Sequence, residues 1–359
     1  VKHLLLPLLL LSCVFLAACG GDDDTSPSNT DGDIDTVDTV EQAPYPFEEF
    51  AWLTEKPDVM QQRMCVEAAD PEGAAEKIFI DCSIEGASFA PADVAPKDDI
   101  IVMAYNIERG RHMDDQIDAM INNDAVPMPD VILVSEADRG CNRTDNRYVM
   151  WDYAEALDMN FVFGVEFTEL NWVDGIRETE CEHGNGILSR YPIGNVRVIR
   201  HETQASWWDD EGEPRLGGRI AVAADIKIGD KYITVYTLHF ESHPSEDYRS
   251  AQALEIAEDG LQRNIPAIAG GDTNAAFYGL DLQLDTTTDE TIKEFTERGW
   301  VDAHVSIDPE LRATAPHSGF ILDLILGTED LFSAPAICPE ETCGELSDHL
   351  PVWATVTLP

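Results

Sequence analysis

The sequence predicts an α/β fold, a sandwich built from mixed β-sheets, on three observations. From about residue 98 onward, short apolar runs alternate with segments of helical spacing. Two of the runs, Arg219–Ile228 and Tyr232–Phe240, meet through Gly229-Asp230, which reads as a hairpin. Other runs are separated by helix-length segments and so need crossovers. Hairpins and crossovers in one chain call for sheets that hold both antiparallel and parallel pairs.

The elements follow in order. Asp99–Asn106 (DIIVMAYN) and Val131–Ser135 (VILVS) are expected as buried strands. Asn146–Leu157 has helical spacing and leads to a strand at Phe161–Phe163. After the hairpin come a helix over Glu246–Leu261 and a short strand over Pro266–Ala269. Phe320–Leu326 and Val352–Leu358 close the series. The folded domain is placed at residues 98–359, and residues 45–97 form an N-terminal extension with no assigned role. No internal repeat is visible.

The ends and the charge set the setting. Lys2 and His3 precede an apolar run from Leu4 to Leu16, too short to span a membrane and suited to a signal peptide over residues 1–18. It ends in Leu16-Ala17-Ala18-Cys19-Gly20, which resembles the bacterial lipobox, with Cys19 as the lipidated residue. The expected product is an exported lipoprotein tethered to a membrane surface. Gly20 in place of Asp after the Cys points to the outer membrane, by resemblance to Gram-negative sorting rules. Residues 19–44 are acidic and low in complexity, and read as a flexible linker.

The 359 residues carry 69 acidic and 23 basic side chains, a net charge of −46. Residues 56–359 alone hold 58 acidic and 22 basic residues, or −36, so the body itself is acidic. Such a surface disfavours long nucleic acids, which select basic faces, without excluding a phosphate at one local spot. At 44% hydrophobic, the chain is too apolar for a disordered polyanion.

Beyond Cys19 stand Cys65, Cys82, Cys141, Cys181, Cys338 and Cys343. In an exported protein these suggest disulfides, and proximity in sequence gives Cys65–Cys82, Cys141–Cys181 and Cys338–Cys343. A zinc site is the alternative, but no C-x-x-C pair supports it.

Polar residues recur where the apolar runs stop. Asn106 ends the first run, Glu136 follows the second and His239 closes the hairpin. Asp272 and Asn274 follow Pro266–Ala269, and Asp348 and His349 precede the last strand. Each alone is weak in so acidic a chain. Asp323 differs, because it interrupts Ile321-Leu322-Asp323-Leu324-Ile325, and a carboxylate inside an apolar run needs a partner, most naturally a histidine.

Taken in order, seven blocks resemble the endonuclease/exonuclease/phosphatase superfamily, which includes DNase I-like nucleases, neutral sphingomyelinases and inositol polyphosphate 5-phosphatases. They are Tyr105-Asn106-Ile107, Ser135-Glu136, Gly186-Ile187-Leu188-Ser189 with Pro192, Thr237-Leu238-His239, Gly271-Asp272-Thr273-Asn274, Leu322-Asp323-Leu324-Ile325 and Ser347-Asp348-His349. The resemblance implies a four-layered α/β sandwich of two mixed sheets flanked by helices, and a phosphoesterase that hydrolyses a P–O bond by metal-assisted attack of water.

By the same resemblance, Glu136 is the main ligand of a divalent cation, helped by Asn106 and Asp348. Hard oxygen ligands suit Mg²⁺, with Mn²⁺ as a substitute. Asp272 orients or deprotonates water, and Asn274 and His239 donate to phosphoryl oxygens. His349 contacts phosphate or moves a proton, with Asp323 fixing its tautomer. Whether His349 or Asp272 is the base stays open. His239, where repair endonucleases of the superfamily carry Tyr, is more like the nuclease, sphingomyelinase and 5-phosphatase branches.

Arg109, Arg111, Arg139, Arg143 and Arg147 cluster after the first two strands. Arg143 and Arg147 are candidates for phosphate contact, with surface salt bridges as the alternative. Asn185, just before the Gly-Ile-Leu-Ser block, is a further substrate-binding candidate. Trp207 and Trp208 could meet lipid, stack a base or plug the domain's edge. The expected partner is a phosphoester, either a lipid headgroup, a small phosphate ester or, against the charge, nucleic acid, acted on by a monomer. A lipoprotein that keeps the fold as a binding module is the remaining alternative.

Overall fold

The computed structural model describes residues 45–62, 64–65, 82–170, 172–173, 176–177, 181–207, 214–242, 246–277 and 290–359. The apolar leader, Cys19, the acidic linker and Trp208 lie outside the described residues. In chain order the strands are β1 (Glu85–Ser88), β2 (Asp99–Arg109), β3 (Val131–Arg139), β4 (Asn160–Glu169), β5 (Trp172–Val173), β6 (Ile176–Arg177), β7 (Cys181–Ser189), β8 (Ile193–Arg200), β9 (Arg215–Gly217), β10 (Ile220–Ile228), β11 (Lys231–His239), β12 (Ala267–Phe277), β13 (Val301–Asp302), β14 (Ile321–Gly327), β15 (Phe332–Ile337) and β16 (Val352–Thr357). The α-helices are α1 (Met113–Asn122), α2 (Val149–Ala156), α3 (Glu246–Leu261), α4 (Thr291–Thr296) and α5 (Glu340–Cys343).

Two sheets carry the fold. One runs β1-β4-β7-β3-β2-β16-β15, with β9 also paired to β4, and the other runs β13-β14-β12-β11-β10-β8. Each is antiparallel except for one pair near its centre, β2 with β3 and β11 with β12. A helix follows the first strand of each parallel pair, α1 after β2 and α3 after β11, because parallel neighbours need a crossover.

Alternation along the strands then sets four layers. Val102, Ala104, Val131 and Leu133 of the first sheet share one core with Val222, Ala224, Val235, Ile268 and Ile325 of the second. The opposite face of the first sheet, with Met103, Tyr105, Ile132 and Val134, packs on Met113, Ile117 and Met120 of α1 and Val149 and Met150 of α2. In the second sheet, Ala221, Ala223, Tyr236 and Ala269 meet Ala253, Ile256 and Ala257 of α3 and Phe295 of α4. This is the four-layered sandwich that the sequence predicts.

Several elements differ in extent, each for a local reason. The expected helix from Asn146 starts only at Val149, since Asp145 and Asn146 take positive φ (55° and 58°), which interrupts helical geometry. The strand expected at Phe161–Phe163 runs from Asn160 to Glu169, buried at nine of its ten positions, so it shows no polar–apolar alternation to mark its length. Asp272 and Asn274 lie within β12, not after it. The hairpin forms in the expected register, with Ile228 opposite Lys231.

The described part of residues 45–97, a segment without a role from sequence, lies along one edge of each sheet. β1 pairs with β4, while Glu49 bridges to Gly194 on β8 and Phe50 N–H donates to Ile193 C=O at 3.0 Å. Covered edges deny a template to other chains. The three disulfides are Cys65–Cys82, Cys141–Cys181 and Cys338–Cys343, the pairings that proximity suggested. No helix among the described residues is long and apolar enough to cross a membrane.

Candidate active site

The two parallel pairs end side by side. Asn106 sits opposite Ser135 where the register of β2 and β3 breaks, and His239, the last residue of β11, sits opposite Asp272 of β12. Asp272 in turn faces Asp323 on β14. Ser135 Oγ donates to Leu238 C=O at 2.8 Å and so ties one sheet to the other beneath the site.

Local backbone irregularity aims the side chains. The register of β3 slips between Val134 and Ala137 against β7, and Glu136 within that slip has φ 59°. Asn274 likewise has φ 47°. Gly271, just before Asp272, has φ 142°, and a Cβ there would come within 2.1 Å of Leu238 C=O. The Gly-Gly of the 270–274 block therefore allows β12 to lie close to β11 while presenting Asp272.

Asp272 is the hub. Its Oδ2 accepts from Asn106 Nδ2 at 3.1 Å and lies 3.7 Å from His349 Nε2 and 3.9 Å from His239 Nε2. Its Oδ1 accepts the Asn274 N–H at 2.8 Å. Burial pushes the Asp272 carboxyl up, against the pull of His349. Nδ1 of His349 donates to Asp323 Oδ2 at 2.7 Å, so the partner that Asp323 required is His349. Burial would lower the His349 pKa, but Asp323 and Asp272 outweigh it and hold the imidazole well above its ordinary value.

Glu136 receives Asn106 Nδ2 at 3.3 Å and lies 3.6 Å from His239 Nε2. Burial works to raise its pKa, yet Arg109 and His239 keep it well below the carboxylate range. Asp348 is pushed up by burial, with Glu136 and Glu108 adding repulsion. These side chains offer oxygen donors and an excess of negative charge, which fits a hard divalent cation. One detail departs from the expected ligand set. The amide nitrogen of Asn106 faces Glu136 and Asp272, while its Oδ1 accepts the Glu108 N–H at 3.1 Å. Asn106 thus holds the carboxylates here, and its amide must turn over to offer oxygen to a metal.

The other expected residues fall in three groups. Asn274 donates its side-chain amide to Phe240 C=O at 3.0 Å, beside Asp272. Asn185 is buried on β7, with Nδ2 donating to Ile220 C=O at 3.1 Å and Oδ1 lacking a partner. The arginines are committed to carboxylates: Arg143 binds Asp138 through Nε and Nη2 (2.7 and 2.8 Å) and reaches Glu169 at 3.0 Å, and Arg147 binds Asp114 at 2.8 and 3.2 Å. Arg139 is fully buried against Glu182, and Arg111 pairs with Glu108. The ion pairs of Arg111 and Arg147 lie at the surface, as the salt-bridge alternative has it for Arg147, whereas those of Arg139 and Arg143 are largely buried, and Arg109 lies 4.0 Å from Glu136.

Sequence reasoning missed a buried second row. Glu166 Oε2 accepts from His239 Nδ1 at 3.1 Å, and Glu166 Oε1 accepts from Arg219 Nη1 at 2.9 Å. Burial would raise Glu166, but His239 and Arg219 bring it down to about 2. The signal was present, since Glu166 interrupts Phe163-Gly164-Val165-Glu166-Phe167 as Asp323 interrupts its own run. Trp207 plugs this side, with its ring on Phe167 and under the guanidinium groups of Arg215 and Arg219 (4.9 and 5.0 Å).

A model of the Endonuclease/Exonuclease/phosphatase family matches residues 103–349. The chain belongs to this family. Solved structures agree on the fold. An endonuclease/exonuclease/phosphatase from Beutenbergia cavernae is 18% identical, with a TM-score of 0.53, over 73% of this chain and 72% of that one. A family protein from Leptotrichia buccalis is 14% identical, with a TM-score of 0.52, over 72% and 99%. The 3′ phosphatase NExo from Neisseria, bound to a product DNA hairpin, is 15% identical, with a TM-score of 0.51, over 72% and 99%. No curated protein matches the chain.

Proposed function

We propose that this chain is a divalent-cation-dependent phosphoesterase that hydrolyses a phosphodiester or phosphomonoester by attack of water. The observation that carries this reading is the Asp323–His349–Asp272 relay set beside Glu136, at the joined ends of both parallel pairs. Glu136, Asp348 and a turned Asn106 would hold the cation, Mg²⁺ with Mn²⁺ as a substitute. When bound, it neutralises charge on the phosphoryl group and its leaving oxygen.

The chain's own residues do the rest. His349, kept cationic by Asp323 and Asp272, donates from Nε2 to a phosphoryl oxygen. Asp272 is the acceptor for the proton of the attacking water, oriented by the Asn106 and Asn274 bonds. That choice favours Asp272 over His349 as base, because a histidine held protonated has no lone pair to offer. His239 presents Nε2 to the same space, with Glu166 holding its other nitrogen.

The substrate favoured is a lipid headgroup or a small phosphate ester. A net charge of −36 over residues 56–359, and the pairing of Arg111, Arg139, Arg143 and Arg147 with carboxylates, leave little basic surface for a long polyanion. The Neisseria neighbour binds a DNA product, which supports nucleic acid as the second reading. Export and a lipid on Cys19 complete the proposal and would hold the enzyme at a membrane, probed by labelling with a radiolabelled fatty acid in wild type and Cys19→Ala. The test of the reaction is turnover of phospholipid, sphingomyelin, DNA, RNA and a generic phosphodiester with Mg²⁺, beside His349→Ala. Lipid turnover lost in the variant supports the reading, and equal rates for both proteins on every substrate contradict it.

A further inference from the structure

Behind the reacting space lies a cluster that shares His239 and Glu166 with the proposed hydrolysis and adds His183, which the hydrolysis does not use. One donor atom each from Glu166, His183 and His239 lies within 4.8 Å of the other two, and all three residues are buried. His183 Nδ1 lies 2.9 Å from Asp138 Oδ1. Asp138, which also accepts two bonds from Arg143, is the acceptor for the His183 Nδ1–H. With Nδ1 engaged by Asp138, the ring's other nitrogen, Nε2, is buried and has no hydrogen-bond partner. A buried polar atom without a partner costs stability unless a bound group meets it. A histidine whose Nδ1–H is held by a carboxylate while Nε2 is left open has the arrangement of a metal ligand.

Charge points the same way. Asp138, Glu136, Glu166, Glu169 and Glu241 crowd this region against the guanidinium groups of Arg143, Arg215 and Arg219. With Arg109 beside Glu136, five carboxylates face four guanidinium groups, so the region keeps a net negative charge that a bound cation would reduce. Two imidazoles and one carboxylate are softer than the all-oxygen set at Glu136 and suit zinc over magnesium.

We propose that Glu166, His183 and His239 form a separate zinc-class cation site, with Asp138 orienting His183. Arg219 sets its cost. Nη1 of Arg219 lies within 2.9 Å of both ring nitrogens of His239 and of Glu166 Oε1, while Nη2 donates to Ser242 Oγ at 3.0 Å. Loading requires Nη1 to withdraw from His239 toward Ser242. Loading also takes His239 away from the space above Asp272, so occupancy opposes the hydrolysis proposed above. The binding itself does not depend on that reading.

Zn²⁺ titrated calorimetrically into the full chain, with Mg²⁺ in excess, tests the site. Wild type should bind one Zn²⁺ that excess Mg²⁺ does not displace. Asp138→Asn should weaken it by about 10–100-fold, the usual effect of losing a partner of a ligating histidine, and His183→Gln by more. Because His183 is buried and its variant could misfold, zinc-edge anomalous diffraction from wild-type crystals gives an independent answer. A peak bonded to Glu166, His183 and His239 supports the site. A peak only at Glu136, no peak, or coincident titrations for wild type and a folded His183→Gln overturn it.

Discussion

Asp323 Oδ2 accepts a hydrogen bond from His349 Nδ1 at 2.7 Å, and Nε2 of the same ring lies 3.7 Å from Asp272. The buried carboxylate that interrupts an apolar strand thus fixes the ring that faces the reacting space. Asp323→Asn keeps the shape but can donate where an acceptor is needed, which favours the wrong tautomer. We expect kcat to fall about 10²–10⁴-fold with KM little changed, by analogy with acid–base dyads. Steady-state kinetics check this, and Asp323→Asn/His349→Ala should be little worse than His349→Ala alone.

Glu166 bridges His239 and Arg219, both buried. Replacing it with Gln leaves a buried guanidinium without its ionised partner, so Glu166→Gln should lose about 3–5 kcal/mol of stability in urea unfolding. A double-mutant cycle on kcat between Glu166→Gln and His239→Ala should show a coupling of about 1–3 kcal/mol.

Chelation is the test of the cation. EDTA should abolish turnover and added Mg²⁺ should restore it. Glu136→Gln should raise the Mg²⁺ needed for half-maximal rate by at least ~10-fold, read from a Mg²⁺ titration, because it removes the ionised carboxylate that the Asn106 amide links to Asp272.

Away from the site, Asp259 on α3 joins Tyr236, Arg197 and Arg263, with Tyr236 OH donating at 2.6 Å and Arg263 Nη2 at 2.6 Å. Burial would raise its pKa, but Tyr236 and the arginines lower it below the ordinary 3.8. A depressed carboxyl contributes stability above its unfolded pKa and loses it as pH falls through the folded value. Asp259→Asn should therefore cost about 1 kcal/mol at neutral pH, with the difference from wild type closing in urea unfolding as pH falls below the ordinary carboxylate range.

Much of the site was legible because strand ends concentrate chemistry in α/β folds: Asn106, Glu136, His239, Asp272 and His349 stand beside the ends of apolar runs, and Asp323 interrupts one. The second row was hidden by the composition. A carboxylate inside an apolar run identifies Asp323 and Glu166, but it identifies Asp225 equally, and Asp225 receives Thr234 Oγ1 and Asn195 Nδ2, each at 2.7 Å, away from the site. The arginine cluster illustrates the opposite failure. Arg143 looked available for phosphate, while the carboxylates that claim it, Asp138 and Glu169, lie on two different strands that only the fold brings together. Residues 46–97 carried no periodicity to betray them, since bridges such as Glu49–Gly194 and the short β1 leave little trace in sequence.

Hydrolysis in ¹⁸O-labelled water, with Mg²⁺ and whichever phosphoester is turned over, tests the central claim most directly. Mass spectrometry should find one solvent oxygen per turnover on the phosphoryl product and none on the released alcohol, at a rate that collapses in His349→Ala. Label on the alcohol, or undiminished turnover in His349→Ala, would contradict the account.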